Sequence, residues 1–139
     1  MARNRFVAEV LTPEGEVFNE EIEMLSTRTT IGSIGLLANH EPLLARLEPA
    51  ELRLYRSETE IVRYAQAEGY VQFSENHALV LVEEALDPAR LNAAELTERV
   101  QAARRAGEAA PAGSEEAARA ARDRRRAEAF LAIAAGPHG

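Results

Sequence analysis

The stretch Ile31-Gly32-Ser33-Ile34-Gly35-Leu36-Leu37-Ala38-Asn39-His40-Glu41-Pro42-Leu43-Leu44 decides how this chain folds. Two glycines punctuate an apolar, strand-forming run that passes straight into a polar turn. The glycine and proline positions around Asn39-His40 demand a sharp bend, and Ile31, Ile34, Leu36, Leu43 and Leu44 are expected to supply strand-type burial. The same pattern continues on both sides. From Arg5 to Glu84 short alternating runs are separated by turn signals at Thr12–Gly15, Leu47–Ala50, Arg56–Thr59 and Ser74–His77. Phe6, Ala8 and Val10 are expected on one face against Val7, Glu9 and Leu11, and Ile22, Met24 and Ser26 on one face against Glu21, Glu23 and Leu25. Further strands are predicted at Glu51–Tyr55, Glu60–Gln66, Gly69–Phe73 and Ala78–Glu83. Strands at this spacing predict an antiparallel β-sandwich, or flattened barrel, over residues 1–86, because one open sheet of that size leaves apolar faces wet.

At Leu86 the period changes. Ala93, Leu96, Val100 and Ala103 follow a three-four spacing, and Ala117, Ala120, Ala127, Leu131 and Ala134 resume it, with Arg124 interrupting the stripe. Residues 87–139 are therefore predicted to form two helices. Asp87 with Pro88 offers one start and Asn92 with Glu95 another. Gly107 to Ser114 carries both common helix breakers, so an antiparallel α-helical hairpin follows. Alanine buries little apolar area, and the hairpin is expected to be weakly held and able to open and re-dock.

Composition removes whole classes of chemistry. All 16 basic residues are arginine, so neither a phosphate-loop lysine nor a Schiff-base lysine can be built. There is no cysteine, which excludes disulfides and thiolate sites and suits a reducing compartment. His40, His77 and His138 stand too far apart for a zinc-helix motif. No apolar run is long enough to span a bilayer and no leader pattern follows Arg3 and Arg5, so a soluble, unprocessed protein is expected. Of the net charge of −7, residues 1–86 carry 15 acidic and 7 basic side chains and residues 87–139 carry 8 and 9. An acidic front half argues against nucleic acid as a partner.

The glycine-rich stretch resembles the G-x-[IL]-G-[ILV]-x-P-x-H-x-P-L segment of the epsilon subunit of F-type ATP synthases, with Ala38 where that family usually has proline. Phe6 to Pro13 is similar to the family's opening strand, Ala67-Glu68-Gly69-Tyr70-Val71 to its Gly-aromatic strand, and Ala78 to Ala85 to its last strand. The resemblance covers nearly the whole chain, including a sandwich followed by an alanine-rich hairpin. It implies a non-catalytic central-stalk subunit that turns with the gamma subunit and the membrane c-ring of a proton-translocating enzyme, and a hairpin that can reach the alpha and beta subunits and block ATP hydrolysis. It also implies a peripheral place on the cytoplasmic face of a bacterial inner membrane, with no direct insertion, and a monomer when isolated. A free-standing ATP-responsive, protein-binding adaptor is the alternative.

By the same resemblance Ser33, Ile34, His40, Glu41 and Pro42 face gamma or the c-ring; a turn kept for folding accounts for the last three equally well. Ser33 stands where relatives often carry an acid. Leu86-Asp87-Pro88-Ala89-Arg90-Leu91 resembles the [IL]-D-x-x-R-A segment with which some members bind ATP, Leu91 replacing the alanine. Asp87 reads also as a helix cap and Arg90 as a solvated first-turn residue. Arg119, Arg122 and Arg126 share a helical face within a basic block that includes Arg124 and Arg125. Forked guanidinium groups suit a triphosphate or an acidic patch on the catalytic head, against the plain reading of a solvated face. Asp87, Arg90, Arg122 and Arg126 are thus the candidates for a regulatory ATP, with no cofactor required, and Arg119, Arg122 and Arg126 for the head. Glu83 and Glu84, adjacent on a strand, point to opposite faces and cannot work as a catalytic pair.

Overall fold

A computed structural model describes residues 4–136. Arg3 and His138 lie outside the described residues, as do the first three residues of the expected 1–86 region and the last three of the 87–139 region. The chain divides into two compact units, Met1–Asp87 and Pro88–Gly139.

Among the described residues the first unit holds ten strands: β1 (Phe6–Thr12), β2 (Gly15–Ile22), β3 (Met24–Thr29), β4 (Gly32–Leu37), β5 (Leu43–Leu47), β6 (Ala50–Tyr55), β7 (Ile61–Gln66), β8 (Gly69–Ser74), β9 (His77–Val82) and β10 (Ala85–Leu86). They follow one another in the order β10-β7-β6-β3-β5-β8-β9-β1-β2, with β4 on β3. Pairing narrows to Thr29↔Leu47 between β3 and β5. Backbone bonds from Thr30 N to Arg46 O (3.0 Å) and from Glu48 N to Arg28 O (3.1 Å) secure that corner. The sheet folds over there into the expected sandwich, a nearly closed barrel. One pair departs from the antiparallel rule: β1 runs parallel to β9, Ala8 opposite Ala78 and Val10 opposite Val80.

Alternation fills the interior. Phe6, Ala8 and Val10 on β1, Leu52 and Leu54 on β6, Val71 and Phe73 on β8, and Ala78 and Val80 on β9 are buried. The expected facing of residues 22–26 is overturned. Ile22, Glu23 and Leu25 are buried, while Met24 and Ser26 are only partly covered. The cause is a break in parity at Glu23, where the chain leaves β2 for β3 and its backbone N–H bonds Tyr55 O at 2.8 Å. The opening stretch is corrected in two places. Leu36 is buried and Ile34 and Leu43 pack against the core, but Ile31 is 93% exposed and Leu44 72% exposed. Ile31 lies in the tight connection from β3 to β4, and Leu44 is on the outward parity of β5.

The second unit opens with a 3-10 turn, Pro88–Arg90, followed by α1 (Ala93–Ala109) and α2 (Glu115–Ala135). The later of the two possible starts is used: Asn92 Oδ1 accepts from Glu95 N at 3.0 Å. Ser114 caps α2 by accepting from Ala117 N at 3.1 Å. Gly107, expected within the break, lies inside α1 instead. The buried positions are Leu96, Val100 and Ala103 on α1 and Ala120, Ala127 and Phe130 on α2, so Ala93 is outside the stripe and Phe130 inside it.

Candidate functional site

The residues singled out on the β module form two groups at opposite ends of β4. Ser33 and Ile34 sit beside the β3–β4 connection, paired with Arg28 and Thr27. Ser33 points to solvent and Ile34 inward, as strand alternation requires. His40, Glu41 and Pro42 lie in the connection to β5, all exposed. From Ser33 to His40 the chain covers roughly 20 Å if extended, so the five residues make two patches.

The His40 turn is built from several local constraints. His40 N donates to Leu37 O at 3.2 Å, and the imidazole Nδ1 lies 2.7 Å from Glu41 O. The ring stands edge-on to buried Phe73, centroids 5.8 Å apart, and Phe73 meets Phe6 in the same way at 5.3 Å. Asn39 adopts φ 69°, a left-handed conformation that asparagine tolerates better than most residues. Its N–H donates to Asn76 Oδ1 at 2.6 Å, and Asn76 Nδ2 donates back to Asn39 Oδ1 at 3.1 Å. Asn76 belongs to the β8–β9 turn and is itself left-handed, φ 58°.

The sequence reading missed an apolar outer face on β5, β8 and β9. Leu44, Tyr70 and Leu81 are 72%, 48% and 45% exposed. Tyr70 pairs with Leu81, and Leu44 with Gln72, whose other neighbour is Leu79. The signal is present in Ala78-Leu79-Val80-Leu81-Val82: a run apolar at both parities belongs to a strand with both faces apolar.

Edge strand β2 is tied by side chains to β7 and to the β6–β7 connection. Arg56 grips Glu20 in a fork, Nε to Oε1 at 2.8 Å and Nη2 to Oε2 at 2.7 Å, and reaches Glu60 at 3.1 Å. Its guanidinium lies 5.9 Å from the centre of the Phe18 ring. Tyr64 OH donates to Val17 O at 3.1 Å. The hydrogen bond from Arg56 lowers the pKa of Glu20, and the same bond raises that of Arg56. Burial, chiefly, raises that of Tyr64.

In the helical unit the basic block is split by geometry. Arg126 lines a groove of about 450 Å³ with Arg99, Asp123 and the alanines of the seam. Arg99 was absent from the sequence candidates; its place on the opposite helix emerges only when the two helices are laid together. Arg122 turns back to Glu115 at 3.6 Å, Arg124 lies 3.4 Å from Glu128, and Arg119 is exposed. Arg90 is exposed at the end of the 3-10 turn, which packs against α2, and Asp87 immediately precedes that turn. Among the described residues no three His, Asp or Glu side chains are placed to hold a metal, and no helix is long and apolar enough to cross a membrane.

Comparison with known proteins agrees with this architecture. Residues 5–88 match the family model described as ATP synthase, Delta/Epsilon chain, beta-sandwich domain. The ATP synthase epsilon chain of Persephonella marina is 43% identical over 77 residues, 55% of this chain and 57% of that one. The chain spans 62% of the Levilactobacillus brevis epsilon chain, so with both of these relatives the match covers under two-thirds of their length. The Rhodospirillum rubrum epsilon chain aligns further, 33% identical over 128 residues, covering 92% of this chain and 95% of that one. A chain in the cryo-EM structure of the Euglena gracilis mitochondrial ATP synthase (OSCP/F1/c-ring) shares the fold with TM-score 0.80 at 16% identity, covering 95% of this chain and 82% of its own. One from the Tetrahymena thermophila central stalk and c-ring gives TM-score 0.64 at 16% identity, covering 96% and 99%. With its sandwich, its helical hairpin and a near full-length match to the Rhodospirillum rubrum protein, the chain belongs to the epsilon-chain family of ATP synthase.

Proposed function

We propose that this chain is a non-catalytic rotor subunit of a bacterial, proton-translocating F-type ATP synthase, its β module bound to gamma and the c-ring and its hairpin able to restrain ATP hydrolysis. The carrying observation is the alignment with the Rhodospirillum rubrum epsilon chain across both units. The exposed Leu44, Tyr70 and Leu81 face and the protruding Ile31 add physical support, because apolar area left wet on a small domain favours a partner. The seat is peripheral, on the cytoplasmic face of the inner membrane, and the isolated subunit is a monomer. The test is reconstitution of the host enzyme with the full chain and with a chain lacking residues 87–139. Both forms are expected to be recovered with gamma, and only the full chain to slow ATP hydrolysis. Loss of gamma from the full chain refutes the rotor role; equal hydrolysis with both forms refutes the restraint.

The groove holding Arg99 and Arg126 favours a further reading in which ATP steadies the hairpin, its phosphates drawn to the guanidinium groups with Arg122, Asp87 and Arg90 as additional candidates. ATP or sulfate at millimolar concentration is then expected to raise the melting temperature of the helical unit. An unchanged melting temperature leaves the arginines, Arg119 included, to the catalytic head.

A further inference from the structure

We infer that Asn76, 37 residues away in sequence, is the positioning residue of the His40-Glu41-Pro42 turn, and that the rotor partner recognises the shape its amide imposes there. The inference rests on the rotor reading above.

The two amides satisfy one another. Asn39 N–H and Asn76 Oδ1 meet at 2.6 Å and Asn76 Nδ2 and Asn39 Oδ1 at 3.1 Å, which uses a backbone donor, a side-chain donor and two acceptors in one closed pair. Asn76 is anchored through its own backbone, since its carbonyl accepts from Val7 N at 3.0 Å, at the start of the parallel β1–β9 pair. The side chain therefore projects from a fixed point in the sheet to the β4–β5 turn. Three left-handed residues, Asn39 (φ 69°), Glu75 (φ 50°) and Asn76 (φ 58°), converge in these two turns. A left-handed non-glycine residue costs free energy, and such conformations persist where surrounding bonds over-determine them.

Ala38, next to the left-handed Asn39, leaves its own φ free where a proline would fix it. The Asn76 amide supplies the missing restraint from across the turn. A turn already fixed in its bound shape loses less conformational freedom on docking, so the clamp acts on affinity rather than on the stability of the β core.

Asn76→Gly keeps the left-handed backbone and the Val7 bond and removes both amide bonds; Asn39→Gly keeps its backbone N–H on Asn76 Oδ1 and removes only the acceptor of Asn76 Nδ2. Full-length variants are titrated against gamma bound to the c-ring, with thermal unfolding and amide exchange at His40 and Glu41 recorded in parallel. Asn76→Gly is expected to bind roughly tenfold more weakly, as the loss of two hydrogen bonds requires, and Asn39→Gly to lose about threefold. The double variant is expected to bind no more weakly than Asn76→Gly, which already removes both bonds, with faster exchange at His40 and the main unfolding transition retained. Asn76→Asp keeps an acceptor for Asn39 N–H and lets the Asn39 amide rotate to donate, so it is expected to bind within about threefold of the parent. Binding unchanged in Asn76→Gly despite faster exchange at His40 overturns the inference, and so do losses that simply add in the double variant. If the unaltered chain itself fails to bind, the rotor reading fails first and is distinguished by that result.

Discussion

At Gly69 the register leaves no space for a side chain. The residue is paired with Leu47 on one side and Val82 on the other, and a Cβ there lies 1.9 Å from Leu81 O and 2.7 Å from Val82 Cα. Both obstacles are backbone and cannot swing aside. Gly69→Ala is expected to destabilise the β module by about 3 kcal/mol, measured by urea unfolding followed through the module's own signals. Gly35, in the stretch that decides the fold, is the contrast: nothing lies within 4 Å of an added Cβ, and Gly35→Ala is expected to be near neutral by the same measurement. The Glu20–Arg56 fork yields a pH effect. Because the folded-state pKa of Glu20 is lowered, its contribution is present above the ordinary carboxylate range and lost as the pH falls through the lowered value. Glu20→Gln is therefore expected to flatten the acid limb of the stability curve while leaving the alkaline side alone, and added salt to shrink the difference because the pair is exposed.

At the scale of elements, strands were legible wherever local alternation and a turn residue agreed, as in β6 to β9. Alternation failed at Glu23, because the passage from β2 to β3 resets parity without leaving any Gly or Pro to announce it. The parallel partner of β1 was hidden for a different reason: 70 residues separate Val7 from His77, and no local pattern reports so distant a neighbour. In the hairpin, the three-four spacing located both helices yet favoured Leu131 over Phe130, since alanine-rich sequence offers several stripes of nearly equal hydrophobicity. Candidate residues fared likewise: Arg126 stood out by its spacing, whereas Arg99 and Asn76 acquire meaning only through contacts across elements. Gly107 gives this level its prediction. It lies within α1, and an added Cβ there meets only Ala120 Cβ at 3.6 Å, an ordinary contact. Gly107→Ala is expected to stabilise the helical unit by about 0.5–1 kcal/mol, read as a higher melting temperature by circular dichroism at 222 nm.

Over the whole molecule, the two units differ in what holds them. The first buries Phe6, Phe73 and several leucines within a continuous hydrogen-bonded sheet, whereas the second relies on Leu96, Val100, Phe130 and small alanines. Burial of an alanine contributes far less than burial of a leucine, and helices of this length depend on packing. In native-state hydrogen exchange of the full chain, residues 93–135 are expected to exchange well before the amides of β1, β8 and β9; equal protection of both units contradicts the expectation that the hairpin opens readily.

The parallel seat of β1 beside β9 has a consequence for the birth of the protein. Strand β1 finds its neighbour β9 only when residues 77–82 have been made, so a nascent chain that ends midway through the module exposes an uncompleted barrel seam. Synthesis of the module is therefore all but finished before it can shut, and any premature stop before His77 yields a product without a closed core rather than a smaller working domain.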